Sequence, residues 1–147
     1  MAILRYTASL DTTIANAYKE DLSTRATGSN MGMSDSLEAF SIYGQTSSSV
    51  DGRSSELSRI LIKFDATGSS GISADRTAGK LPASGSVSFY LRMFNAVHPY
   101  TVPENYSMVI SAVSGADWQE GYGLDMEGYK DSGVANWISA STGNAWT

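Results

Sequence analysis

Two segments of the chain alternate apolar and polar side chains with a period of two, and this pattern restricts the fold more than any other feature. In 57–65 it places Ile60, Ile62 and Phe64 on one face and Arg59, Leu61 and Lys63 on the other. In 87–94 it brings together Val87, Phe89, Leu91 and Met93. Because successive side chains of a β-strand point to opposite faces of the sheet, this spacing predicts two half-buried strands.

Three further segments have strand-like sequences: 3–18, which we interpret as a hairpin with a turn at Leu10-Asp11-Thr12, then 37–43 and 106–113. The segments between the strands are polar and rich in Ser, Gly and Thr, and we expect surface loops at 21–35, 45–56 and 66–85. No segment shows a sustained helical period. The pattern predicts an all-β fold: an antiparallel β-sandwich or jelly roll with long Ser/Gly-rich loops and an irregular C-terminal segment.

The length of the chain predicts a single domain that is stable without a disulfide or a structural metal. A chain of 147 residues buries roughly two thirds of the surface that its unfolded form exposes, so we expect one β-sandwich domain over 1–147. There is no cysteine, which excludes a disulfide framework, a thiolate nucleophile and a Cys-based zinc site.

The charge balance and the hydropathy argue against nucleic acid and membrane partners. The net charge is -5 and the ten basic residues are scattered, whereas nonspecific nucleic-acid binding depends on clustered Lys and Arg. The longest apolar runs have the length of a strand, which is too short for a membrane helix. The first residues do not resemble a signal peptide. We therefore expect a protein that is made in the cytoplasm and acts outside by being carried on a particle.

The sequence offers few residues for catalysis, which needs a nucleophile with its base, two facing carboxylates or a metal cluster. The one histidine, His98, stands beside Pro99 in a predicted turn and has no partners at metal-binding spacing. A phosphate-binding Gly-Lys-Ser loop, a nucleophile elbow and a zinc-protease motif are all absent from the sequence. We expect no catalytic residues and no cofactor.

Acidic side chains crowd a Gly-rich stretch near the C-terminus: Asp117, Glu120, Asp125, Glu127 and Asp131. Calcium accepts about 6 to 8 oxygen ligands from flexible loops, so Asp117, Glu120, Asp125 and Asp131 are candidates for a structural calcium site. Their spacing differs from that of an EF-hand loop. The alternatives are a glycosidase carboxylate pair and plain solvated charges, and we favour solvated charges.

Large aromatic side chains also concentrate in the last third of the chain: Trp118, Tyr122, Tyr129, Trp137 and Trp146. Exposed Trp and Tyr rings stack on sugars, so Trp118, Tyr122, Trp137 and Trp146 are candidates for glycan binding. The alternative is that the rings pack over the open edge or end of the sandwich and close its core. We favour packing, because large aromatics are more often buried than displayed.

Three short motifs follow one another along the chain. The first is Asn30-Met31-Gly32-Met33-Ser34-Asp35-Ser36-Leu37, the second is the strand 59–65 with its terminal Phe-Asp, and the third is Asp117-Trp118-Gln119-Glu120-Gly121. Asn136-Trp137 and Ala145-Trp146-Thr147 come after them. Together they resemble motifs of the DNRLRE-type β-sandwich domain, a jelly-roll module of bacterial surface and secreted proteins, carbohydrate-active enzymes and some phage structural proteins.

Within that family, the stretch 121–129 and the lack of a signal peptide make the chain most similar to structural proteins of tailed bacteriophages. The resemblance implies a non-catalytic virion protein that decorates or joins the capsid or tail, with other virion proteins and copies of itself as partners. The family usually continues beyond the motif at Trp146, so we expect either the N-terminal part of a longer chain or a sheet with an unpaired edge. An open edge recruits another chain by strand addition.

A carbohydrate-binding module of a secreted or surface protein is the second hypothesis. It is based on the aromatic cluster and on the family's association with polysaccharides, and it implies an extracellular location. The two hypotheses are compatible, since a virion protein can also bind glycans.

Overall fold

The structure is a computed structural model that describes residues 3–43, 55–82, 84–97, 99, 105–113, 117–124 and 134–146. Its elements are β1 (Ala8–Ala15), β2 (Ser41–Tyr43), β3 (Ser55–Phe64), α1 (Ile72–Thr77), a 3-10 turn (Ser84–Ser86), β4 (Ser139–Ser141) and β5 (Asn144–Ala145). Among the described residues, more residues lie in strands than in helices, and the strands form small antiparallel sheets, so the expected mostly-β class is confirmed. None of the helices in these ranges is long and apolar enough to cross a membrane.

The main sheet has the order β1-β3-β2, and both flanking strands run antiparallel to β3. β3 is the longest strand because its centre is a run of β-branched and large apolar residues, which suit a pleated surface. The strand predicted at 57–65 is confirmed. The strand predicted at 37–43 is present only as its last three residues, β2.

Both faces of β3 are partly buried. Opposite β3, Ile14 pairs with Arg59 and Thr12 pairs with Leu61, so these four side chains lie on one face of the sheet. Leu61 is 8% exposed because the C-terminal part of the chain packs on it, whereas Arg59 on the same face is exposed. The other face, that of Ile60, which the apolar spacing of the sequence selected, is half-buried.

The hairpin expected at 3–18 is wrong: β1 runs without a turn through Leu10-Asp11-Thr12, with one irregularity in its register between Ala8 and Leu10. The amide of Asp11 donates to Glu120 Oε1 at 2.9 Å. The backbone amide of Asp11 thus has a partner in a distant segment of the chain, and the strand continues through this position without a turn.

The loop expected at 21–35 is also not simply a surface loop. Asn30 forms an isolated antiparallel bridge with Ile14, and the amide of Met31 donates to the carbonyl of Thr13 at 3.1 Å. Ala26, Ser29, Asn30 and Met31 are buried. This segment therefore covers the edge of β1 that faces away from β3.

The loop expected at 66–85 contains the short helix α1, which the sequence analysis missed. Asp75 on α1 accepts hydrogen bonds from Tyr6 Oη and Lys80 Nζ, both at 2.8 Å. These bonds lower the pKa of Asp75, with Lys80 as the larger cause, and burial together with Asp75 raises the pKa of Tyr6. Gly79 follows the helix at φ 73°, a left-handed conformation that glycine adopts without strain.

The C-terminal segment is less irregular than expected. β4 and β5 form a small antiparallel hairpin, whose turn contains Gly143 at φ 79°. After the hairpin, the amide of Trp146 donates to the carbonyl of Ile138 at 3.1 Å. This places the last tryptophan against the core.

The strands predicted at 87–94 and 106–113 do not join any sheet among the described residues. We call 87–97 and 105–113 the extended segments. Their side chains are largely exposed: Tyr90, Phe94 and Val109 each show about nine tenths of their surface to solvent. The described residues therefore show one main sheet with the C-terminal segment packed against it. They do not show the second large sheet that a sandwich requires.

Candidate functional site at the Asn30 junction

The side-chain amide of Asn30 connects three parts of the chain that are far apart in sequence. Its Nδ2 donates to the carbonyls of Glu120 at 2.6 Å and Ala135 at 2.7 Å. Its Oδ1 accepts from the amides of Gly32 at 2.9 Å and Gly123 at 3.1 Å. Asn30 is only 1% exposed, yet its two hydrogens and its oxygen all have partners. We call these five residues the Asn30 junction.

Two threonines of β1 extend the junction into the sheet. Thr12 Oγ1 accepts from Nδ2 of Asn30 at 3.2 Å and from the amide of Met31 at 3.3 Å. Thr13 Oγ1 accepts from the amide of Glu38 at 3.0 Å. Both threonines are fully buried, and burying a hydroxyl is costly unless it is hydrogen-bonded.

Glycines allow the backbones at the junction to approach one another closely. A Cβ atom at Gly32 would collide with the carbonyl of Glu120, and one at Gly123 would collide with the carbonyl of Asn30. Gly121 lies against the Asn30 amide at φ 89°, in the left-handed region that favours glycine. The first and third sequence motifs thus meet here, where the glycines of each leave space for the other.

Trp118, a glycan-binding candidate, lies beneath the junction in the core. It is 6% exposed and packs with Ile14, Leu61, Ala135 and Ala140. Little of the ring is therefore open to a ligand, although Trp118 contributes to the lining of the groove beside Tyr122. The second motif, which contains Leu61, therefore meets the third at the same place.

Trp137 and Trp146 are half-buried against this core. The guanidinium of Arg59 lies 3.9 Å from the centre of the Trp137 ring, a cation–π geometry. Trp146 Nε1 donates to the carbonyl of Asn136 at 2.7 Å. These contacts use the ring faces and the indole N–H for packing, and they favour the packing alternative over the glycan-binding one for both residues.

Tyr122 is placed differently from the tryptophans, because it is 72% exposed. It lines an open groove of about 410 Å³ together with Lys63, Asp117, Gln119 and Glu120. Among the four aromatic candidates, Tyr122 has the ring that is most accessible to a ligand.

The calcium candidates are only partly described by the structure. Asp117 forms an ion pair with Lys63 at 2.6 Å, which lowers the pKa of Asp117, and Glu120 Oε1 accepts from the amide of Asp11. Asp125 and Asp131 lie outside the described residues, as do Tyr129 and His98. Within the described residues, no three acidic or histidine side chains form a cluster that could hold a metal ion. The calcium site stays a prediction.

In comparisons with known proteins, no family model, no curated protein and no solved structure matches this chain. The resemblance to the DNRLRE-type domain therefore stays a prediction. What the geometry adds is that the three motifs on which it rests converge at one place.

The central residue of this site, Asn30, was part of a motif but was not among the predicted site residues. Its segment has the polar, Gly-rich composition of a surface loop, and its partners come from Glu120 and Ala135, about ninety and one hundred residues later in the chain. The available signal was the Asn-x-Gly spacing at 30–32 together with the Gly-x-Gly spacing at 121–123. Such spacings indicate a close approach of two backbones.

Proposed function

We propose that this chain is a virion structural protein: a non-catalytic β-sandwich or jelly-roll module that decorates or joins the capsid or tail of a tailed bacteriophage. The observation that carries the proposal is the apolar surface of the described residues: Tyr90, Phe94 and Val109 in the extended segments each show about nine tenths of their surface to solvent. Exposed apolar surface of this kind marks a place where another protein can pack.

The chemistry of the Asn30 junction also supports a structural function. The polar groups of the Asn30 and Glu120 side chains bind backbone groups of the same chain, and the ring of Trp118 is buried. Side chains that are engaged in this way hold segments together, whereas catalytic groups face a space in which a substrate can lie. The partners in this proposal are other virion proteins and copies of the chain itself.

The decisive experiment is peptide mass spectrometry of gradient-purified particles from the virus that encodes the chain, combined with antibody labelling in electron micrographs. We expect the chain in repeated copies at regular positions on the capsid or tail. Its absence from particles that contain all other structural proteins would contradict the proposal.

Carbohydrate binding is the second candidate, and the groove beside Tyr122 favours it. An exposed aromatic ring next to carboxylate, amide and ammonium groups is a typical arrangement for holding a sugar. Glycan-array binding that Tyr122→Ala abolishes with folding unchanged would support this function.

Trp118→Ala is the informative comparison for the glycan test. Because Trp118 belongs to the core, we expect this variant to lose stability, whatever its effect on binding. Glycan binding lost on Trp118→Ala with folding unchanged would instead support a direct contact between the sugar and this ring.

A further inference from the structure

The groove beside Tyr122 is built from four parts of the chain that are distant in sequence. Leu10 of β1 and Lys63 of β3 are cross-strand partners, and both line it. The remaining lining residues come from 117–122 and from Val134. The volume of about 410 Å³ lies within the range of small-molecule sites, about 300 to 1,000 Å³. The groove therefore has room for a ligand of the size of a sugar residue.

Hydrogen bonds to other parts of the chain fix the position of Glu120 and of its neighbour in this groove. Oε1 of Glu120 accepts from the amide of Asp11 at 2.9 Å, and its carbonyl accepts from Asn30 Nδ2 at 2.6 Å. The amide of Gln119 donates to the carbonyl of Ala140 at 3.1 Å. A site whose polar groups are already in place loses less freedom on binding, so the charge at Glu120 can select among ligands.

The side chains of the groove complement both the faces and the edges of a sugar ring. The exposed ring of Tyr122 offers an apolar surface to the C–H groups of a sugar face. Sugar hydroxyls both donate and accept hydrogen bonds. The carboxylates of Asp117 and Glu120 accept, the ammonium group of Lys63 donates, and the side-chain amide of Gln119 does both. Uncharged ligand groups can thus use every polar side chain on this list.

Among the described residues that line the groove, no cation remains to neutralise the charge of Glu120. Lys63 is the one cation among them, and it forms an ion pair with Asp117 at 2.6 Å. The formal charges of Lys63 and Asp117 cancel, whereas that of Glu120 does not. A sugar with a carboxylate or sulfate group brings a second negative charge beside Glu120, and like charges at short range repel each other.

We infer that the groove beside Tyr122 selects neutral sugar residues and discriminates against acidic ones, and that the carboxylate of Glu120 sets this preference. The inference rests on carbohydrate binding, the second proposed function, and it names the class of sugar and the residue that selects it. For two like charges a few ångströms apart in an open groove, we expect a difference in affinity of about fivefold.

Titration calorimetry with matched pairs of sugars tests the preference. The probes are methyl glucoside against methyl glucuronide and methyl galactoside against methyl galacturonide, which differ only by the carboxylate. We expect the native chain to bind the neutral member of at least one pair about fivefold more tightly at low salt. The difference should shrink in about 1 M salt, where the Debye length is about 3 Å. Equal affinities at low salt, or tighter binding of the acidic member, would overturn the inference.

Two matched variants assign the preference to one carboxylate. Glu120→Gln keeps an oxygen for the amide of Asp11 but removes the charge, so we expect the ratio of affinities within a pair to fall towards one. Glu38→Gln is the control, because Glu38 is exposed and does not line the groove, and we expect it to keep the native ratio. Equal changes in the two variants would trace the preference to the net charge of the chain and refute the selection by Glu120.

The outcomes for this inference and for carbohydrate binding itself are distinguishable. If the folded native chain binds neither member of any pair nor any sugar on a glycan array, both are contradicted. If it binds acidic sugars as tightly as neutral ones, carbohydrate binding stands and the selection by Glu120 is wrong. Binding that Tyr122→Ala leaves unchanged would place the sugar outside this groove and would also overturn the inference.

Discussion

At the scale of single residues, Asn30 shows how a polar side chain can organise a small core. A buried primary amide stabilises a fold only when its donors and its acceptor have partners, because each unsatisfied group retains its full desolvation cost. The Asn30 junction meets this condition with backbone groups from two later segments. Among the described residues, three of the largest fully buried side chains, Asn30, Thr12 and Thr13, are polar, and only Ile14 is apolar, so this core depends on hydrogen bonds as well as on apolar packing.

We expect Asn30→Ala to lower the free energy of unfolding by about 3 kcal/mol, because it leaves the buried amide of Gly123 and the buried carbonyl of Ala135 without partners. Urea denaturation followed by tryptophan fluorescence measures this change, since Trp118 lies in the adjacent core.

The control for this variant is Asn144→Ala. Asn144 is exposed and forms one side-chain hydrogen bond, to Ser141, so we expect a loss below about 1 kcal/mol. A loss for Asn30→Ala no larger than that for Asn144→Ala would refute the central position of the Asn30 junction.

The site could be predicted from the sequence only where its chemistry is local. The packing of the tryptophans followed from a general preference of large aromatics for burial. The burial of Asn30 did not follow, because Gly, Ser and Asn are also the residues of exposed loops, and only the distant Glu120 and Ala135 distinguish the two cases. When the burial of a residue depends on contacts with the other end of the chain, its sequence neighbours do not reveal that burial.

At the scale of elements, the turn between Lys19 and Thr24 depends on one exposed carboxylate. Asp21 accepts from the Thr24 hydroxyl at 2.6 Å and from the amides of Ser23 at 2.9 Å and Thr24 at 2.8 Å. These bonds lower the pKa of Asp21 well below its ordinary value, and the hydrogen bond from the Thr24 hydroxyl is the largest cause. The charged form of Asp21 is therefore the one that holds the turn.

We expect the hydrogen bonds of Asp21 to stop stabilising this turn only in strong acid. Because the folded pKa of Asp21 is depressed, the stabilisation is complete above the unfolded pKa of about 3.9 and is lost as the pH falls through the folded value. The amide chemical shift of Thr24 should stay constant from neutral pH to about pH 4 and move only below it. Asp21→Asn should remove the transition, and a midpoint at or above pH 4 in the native chain would contradict the assignment.

Among the elements, β3 was predictable and α1 was not, for a common physical reason. The run from Ile60 to Phe64 favours a strand by its own composition. The helix Ile72–Thr77 is short, its N-cap Gly71 provides no side-chain hydrogen bond, and it depends on Tyr6 at the start of the chain. Elements with strong local preference are visible in the sequence, and those that tertiary contacts hold are not.

At the scale of the whole molecule, the sequence predicted strands at 87–94 and 106–113 but could not predict what they pair with. Local composition sets the preference for extended structure, whereas pairing depends on which backbone is available. The apolar core cluster of the described residues includes only Ile14, Leu61, Trp118, Ala135 and Ala140 as buried members. Covering the extended segments would therefore add a large share to the apolar burial of the chain.

The proposed function names copies of the chain as its partners, and it predicts that stability rises with protein concentration. If folding is coupled to the association of two copies, each tenfold increase in concentration adds about 1.4 kcal/mol to the free energy of unfolding, which should raise the urea midpoint by about 0.5 M for a dimer of this size. Phe89→Lys, in the extended segments, should remove the concentration dependence. Ile138→Lys should retain it, because Ile138 is also exposed but lies outside those segments. A midpoint that stays constant over a hundredfold range in the native chain would mean that the fold is complete in one copy.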